Sequence, residues 1–227
     1  MYKYIFLFLL LFSPNLFAEI VKKIEIKGNE RISAETLKVY GELNLNKDYS
    51  TFDVNKVLKN LYNTEFFEDV KVSLKNGTLS ISVKEYPTIN SIDLRGEKST
   101  KTKSKILEFL KLKEKESFIE SKLANDISII KKIYASQGFN FTTVSGKVEK
   151  FSNNRLNLVY FVEKGKKTNI SSISFIGDKK IKEKRLRDII VSEEKKFWKF
   201  LSRNTYLNYN NVELDKRLLL NYYKSLG

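Results

Sequence analysis

Alternation of apolar and polar positions divides this chain into short strands and amphipathic helices in a recurring order. Residues 21–27 alternate and predict a half-buried strand, which ends at Gly28. Ser33 stands at a favourable helix N-cap, with Glu35 in the first turn, and predicts a helix to about Tyr40. Residues 44–49 are polar and read as a loop. Phe52, Val54, Val57, Leu58, Leu61 and Tyr62 then recur at three- and four-residue steps, the spacing of a second helix. Val70, Val72 and Leu74 alternate, Asn76-Gly77 supplies a type I′ turn, and Leu79, Ile81 and Val83 alternate back. Pro87 cannot donate to a ladder and closes the unit. The order is βααββ.

The pattern repeats. Ile24-x-Ile26-x-Gly28, Ile92-x-Leu94-x-Gly96 and Ile173-x-Phe175-x-Gly177 open three copies, and Leu61-Tyr62, Ile133-Tyr134 and Tyr222-Tyr223 mark matching places in the second helices. Tyr62, Tyr134 and Tyr223 read as packed helix residues. In the second copy, Ile106, Leu107, Leu110 and Leu112 mark one helix and Leu123, Ile127, Ile130, Ile133 and Tyr134 the other. Residues 141–150 and 156–163 form its hairpin. The third copy has helical patterns at residues 183–190 and 212–225 and lacks the two closing strands. The predicted class is α+β: tandem βααββ modules, each a three-stranded mixed sheet on two helices, at residues 21–88, 89–166 and 169–227. The third is incomplete, because a single strand cannot bury two helix faces, and the sequence is expected to be a piece of a longer protein. Arrays of one small module more often bind than catalyse.

Residues 1–18 have the layout of a secretory signal peptide: Lys3, an apolar run from Ile5 to Phe12, a Ser13-Pro14-Asn15 break, and Leu16-Phe17-Ala18 as cleavage site. Export is therefore expected. The chain has no Cys and no His, which excludes thiol catalysis, disulfide staples and ordinary zinc sites. No catalytic constellation, metal site or cofactor is expected. Gly28, Gly96 and Gly177 lack the second glycine of a phosphate loop and read as turn positions. The net charge of +15 has two readings. Lysine clusters interrupted by Glu and Asn suit a solvated face; attraction to anionic lipid headgroups or acidic clients is the alternative. Nucleic acid is not an expected partner, since there is no Gly-x-x-Gly clamp and the chain carries an export signal. Phe197-Trp198-Lys199-Phe200 reads either as packing against absent strands or as a partner or lipid contact.

Ile24-x-Ile26-x-Gly28-Asn29-x-Arg31-Ile32, Leu61-Tyr62-x-Thr64-x-Phe66-Phe67-x-Asp69-Val70, the run Val83–Ile89, the turn Gln137-Gly138-Phe139 and the aromatic insertion at 197–200 resemble polypeptide-transport-associated (POTRA) domains. One departure is Glu65, where family members usually carry glycine. The resemblance implies a periplasmic region of an outer-membrane protein, followed by further modules and a carboxy-terminal β-barrel seated in the outer membrane. It further implies β-augmentation with unfolded outer-membrane protein precursors and with accessory lipoproteins of the assembly machinery. The POTRA region of a two-partner secretion or related translocation pore is the alternative. The candidate edge strands are the first hairpin strands, at Val70, Lys71, Val72, Ser73, Leu74 and at Val144, Ser145, Gly146, Lys147, Val148. The resemblance, not the pattern, selects them; Lys71 and Lys75 also suit a merely protected border. Proline at Lys71 or Ser73 is expected to weaken docking and spare the fold.

Overall fold

A computed structural model describes residues 18–177, 180–199 and 201–227, and the chain divides into two compact units between Pro87 and Thr88. Of the expected leader, only Ala18 falls among the described residues.

The first unit runs β1 (Glu19–Ile20), β2 (Lys23–Lys27), α1 (Ala34–Tyr40), β3 (Asp48–Tyr49), α2 (Thr51–Asn63), β4 (Phe67–Lys75) and β5 (Thr78–Glu85). Local chemistry sets these bounds. The Ser33 side chain accepts the Thr36 N–H and caps α1, and Ser50 with Asp53 forms a reciprocal capping box on α2. Asn76 and Gly77 sit at φ 50° and 73°, the left-handed pair that a type I′ hairpin needs. In the sheet β5 is central, parallel to β2 and antiparallel to β4. Leu37, Val57 and Leu61 from the helices are buried with Val70, Leu79, Ile81 and Val83 from the strands. Two expectations fail here. The polar stretch 44–49 contains β3, which pairs with β1. Phe52, expected on the apolar face of α2, is 73% exposed, because it lies in the first turn ahead of the buried stripe.

The second unit begins with the same order: β6 (Thr88–Arg95), α3 (Thr100–Phe109), α4 (Glu120–Ala135), β7 (Thr143–Phe151) and β8 (Arg155–Glu163). Its sheet has β8 between a parallel β6 and an antiparallel β7. Ile106, Ile130, Tyr134, Leu156, Leu158 and Tyr160 lie in its core. The remainder contributes α5 (Glu183–Arg187), 3-10 turns at Phe197–Lys199 and Arg203–Thr205, and α6 (Tyr209–Ser225). Among the described residues it has no strand, and the stretch Ile173–Phe175 that was expected to be one finds no partner strand. A backbone bond ties it to the βααββ portion, Thr168 N–H to Gly138 O at 2.8 Å, and within the remainder Leu207 N–H donates to Thr168 O at 2.9 Å. The Asn140 amide adds a bond to Leu207 O at 2.8 Å, and the Asn208 amide one to Ser136 O at 3.0 Å.

Candidate functional site

Both candidate strands, β4 and β7, lie at an edge of their sheets. The Val70 N–H shows which way the edge of β4 faces, because it leaves the sheet and donates to the Tyr62 hydroxyl at 3.1 Å. In an antiparallel strand the N–H and C=O of alternate residues point to one side. Val70, Val72 and Leu74 therefore turn their backbone groups outward, and Lys71 and Ser73 turn theirs toward Ser82 and Ser80 of β5. This overturns the expectation for proline: at Lys71 or Ser73 it removes a ladder donor and damages the sheet. The outward groups of β4 belong to residues whose side chains face the helices. The backbone is chiral, so that coupling is fixed; in β7 it assigns the outward groups to Val144, Gly146 and Val148.

Beside each outward edge runs an apolar floor. Val72 and Leu74 are half-buried with Val54 and Leu58 of α2, and Val144 and Val148 with Leu123 and Ile127 of α4. Gly146 allows that contact, since a Cβ there would stand 2.7 Å from the Leu123 side chain. Lys71, Ser73, Ser145 and Lys147 are exposed on the opposite face, with Lys71 near Asp69 at 3.4 Å and Lys147 near Glu149 at 3.6 Å. The other border of the second sheet is already covered. Ile89 N–H donates to Glu116 O at 2.9 Å, Lys115 N–H to Ile89 O at 2.7 Å, and Ile92 N–H to the Glu114 carboxylate at 3.0 Å. Among the described residues, no strand pairs with the outer side of β7.

Buried carboxylates hold the frame behind these edges. In the first unit Glu85 accepts the N–H groups of Glu30, Arg31 and Ile32 at 3.0, 3.0 and 2.8 Å, and the Arg31 guanidinium lies 3.6 Å away. The matching corner of the second unit has the opposite wiring. Gly28 packs on Val83 O and Gly96 on Val162 O, so Lys164 stands where Glu85 does, and it meets Glu97 at 3.3 Å. Burial raises the Glu97 pKa, but the Ser99 N–H, the Tyr134 hydroxyl and Lys164 outweigh it and hold this carboxyl below its ordinary value. Burial, reinforced by Glu97, pushes the Tyr134 phenol well above its ordinary range.

On α4, Asp126 accepts the N–H groups of Lys111 and Leu112 at 2.6 and 3.0 Å and the Tyr160 hydroxyl at 2.9 Å. Burial and then Asp126 drive the Tyr160 phenol far up. Asp215 on α6 repeats the device, accepting Val191 N–H at 2.6 Å and Ser192 N–H at 3.3 Å. Sequence reasoning overlooked these four carboxylates. A readable signal existed for two of them: Asp126-Ile130-Tyr134 and Asp215-Leu219-Tyr223 run at four-residue steps on one helix face. Of the three tyrosines expected to pack, only Tyr134 is buried, while Tyr62 and Tyr223 are exposed. Among the described residues no group of three or more His, Cys, Asp or Glu is placed to hold a metal ion, and no helix is long and apolar enough to cross a membrane.

Tandem βααββ modules, each a mixed three-stranded sheet on two helices with its first hairpin strand at the sheet edge, define the class of protein: an array of one repeated α+β module. The POTRA family, described as surface antigen variable number repeat, matches residues 19–86 and 87–165, and the chain belongs to that family. It is 26% identical over 219 residues to the outer membrane protein assembly factor BamA of Neorickettsia risticii, covering 96% of this chain and 30% of that one. The same factor from Neisseria meningitidis serogroup B is 26% identical over 209 residues, covering 91% of this chain and 26% of the relative. Among solved structures, Haemophilus influenzae BamA POTRA3-5 is similar with a TM-score of 0.43 at 19% identity, covering 93% of this chain and 89% of that one.

Proposed function

We propose that this chain is part of the periplasmic region of an outer-membrane assembly factor. Its edges β4 and β7 take up extended segments of unfolded outer-membrane protein precursors and of accessory lipoproteins. The observation that carries the reading is the row of outward backbone groups at Val72 and Leu74 and at Val144, Gly146 and Val148, each beside an apolar floor. Main-chain pairing suits clients of many sequences, because the bonds are the same whatever the side chains. Alternate client side chains would rest on the floor formed by α2 or α4. Relatives named for outer-membrane protein assembly support the client class, although the chain spans only 30% and 26% of the two cited relatives.

The test is amide hydrogen exchange of the chain with and without a ten-residue peptide of alternating apolar and polar residues. Slowed exchange at Val72, Leu74, Val144 and Val148, with Lys71 and Ser73 unchanged, is the expected outcome. Saturating peptide that leaves all four outward amides exchanging at their free rates would sink the proposal.

A further inference from the structure

Between α5 and α6 the chain presents an apolar tip. Around the 3-10 turn Phe197–Lys199, Phe197 is 87% exposed, Trp198 60% and Leu201 83%. The tip is held in place. Glu193 N–H bonds Asn204 O at 3.0 Å and Lys195 N–H bonds Ile170 O at 2.8 Å. The Phe197 and Trp198 rings meet edge-on with centroids 4.6 Å apart. The open cavity beside α5 and α6 is lined by Phe175, Ile176, Ile181, Leu186, Leu219 and Tyr223, and among the described residues by none of 195–199 or 201.

Charge says what suits the tip. Its carboxylates are engaged: Glu193 with Lys199 at 3.1 Å, and Glu194 with Arg187 at 2.5 Å. Lys196 holds its ammonium 5.6 Å from the centre of the Trp198 ring, at the rim of the apolar surface. Lys195 and Arg203 have no carboxylate partner among the described residues. Lys196 shares Glu194 with Arg187, at 3.9 Å, so the cations near this protruding aromatic pair outnumber the carboxylates that meet them. That is the composition of a membrane-interface anchor, with rings at headgroup depth and ammonium groups on phosphates. A groove-binding protein partner would need the apolar side chains to be its own inserted key, and gives no reason for the cationic rim.

We propose that residues 195–199 and 201–203 seat on an anionic lipid surface, with Phe197, Trp198 and Leu201 entering the interface and Lys195, Lys196 and Arg203 meeting headgroup phosphates. The contact is separate from the strand edges and does not rest on their function. In a chain with a net charge of +15 it would orient the array against a membrane face.

Trp198 is the chain's single tryptophan, so its fluorescence reports on this segment alone. The chain is titrated with vesicles of phosphatidylethanolamine and phosphatidylglycerol, and separately with phosphatidylcholine alone. The expected result is a blue shift with the anionic vesicles only, together with quenching by lipid brominated near the headgroup. K195Q/K196Q should weaken anionic-vesicle binding roughly 30-fold, and F197S/L201S should abolish the shift with helical circular dichroism retained. If a variant fails to fold, bromine quenching of the unaltered chain decides. Vesicle binding that leaves Trp198 unshifted places the contact elsewhere and overturns the proposal. A shift produced by unfolded outer-membrane polypeptide but not by lipid makes the tip a protein site and overturns it as well. Neither result alters hydrogen exchange at β4 and β7.

Discussion

The Tyr62 hydroxyl accepts the Val70 N–H at 3.1 Å, so a helix side chain occupies the first outward donor of edge strand β4. The same hydroxyl donates to the Asp69 carboxylate at 3.3 Å. The accessible edge therefore begins at Val72. Tyr62→Phe should destabilise the first unit by about 1 kcal/mol and lengthen the free edge by one residue. Hydrogen exchange checks both halves: the Val70 amide should exchange faster in the free variant and become protected when a strand-forming peptide is added.

Asp126 is fully buried and holds two backbone N–H groups and one phenol, so its loss strands three polar groups at once. Asp126→Ala should cost about 3 kcal/mol or more, and Tyr160→Phe about 1 kcal/mol. Urea unfolding of both single variants and the double should show a double-variant loss well below the sum, because they share one bond.

Gly96 and Gly177 close corresponding motifs in different surroundings. A Cβ on Gly96 would stand 1.9 Å from Val162 O, whereas one on Gly177 meets nothing within 4 Å. Gly96→Ala should displace β8 or unfold the unit. Gly177→Ala should cost only the backbone strain of its positive φ, on the order of 1–3 kcal/mol. Equal melting temperatures for the two variants would contradict the close packing of Gly96 on β8.

Glu65 adopts φ 57°, a left-handed conformation that a side chain disfavours. Glu65→Gly should stabilise the first unit by about 1 kcal/mol, read as a rise of several degrees in melting temperature. Glu65, where the family resemblance leads one to expect glycine, is thus one of the seven described residues other than glycine that hold a positive φ.

Acid should loosen the second unit at Glu97. Its folded pKa is lowered, so its contribution is fully present above the unfolded carboxyl value and fades as pH falls through the folded one. The stability of the unaltered chain should therefore drop below about pH 4.5 more steeply than that of Glu97→Gln, whose stability at neutral pH is already lower. Denaturant melts at pH 7 and pH 3.5 provide the comparison.

The architecture was legible because its cues are local. Alternation at Val70–Leu74 and Leu79–Val83, the Asn76-Gly77 turn and the Ser33 cap each act within a few residues. What escaped depends on directions that a one-dimensional pattern does not carry. Tyr62 follows the buried Leu61, and one residue turns a helix by about 100°, which carries the tyrosine to the outside. Whether Lys71 or Val72 offers its N–H to a partner depends on the phase of the ladder, visible only once Val70 is seen bonding outward. The two-residue strands β1 and β3 are too short to alternate at all. Asp126 and Asp215 look like ordinary polar helix positions until the preceding loop is seen to close onto them.

Tandem copies of one module run the hazard of exchanging strands while they fold. The reversed charges at the two corners argue against that error. Were β5 to take the place of β8, Glu85 would be driven against Glu97 with no cation between them. Were β8 to take the place of β5, the Lys164 ammonium would face Arg31 and the three N–H groups of residues 30–32, leaving donors without an acceptor. Each hairpin thus carries a password that only its own module accepts.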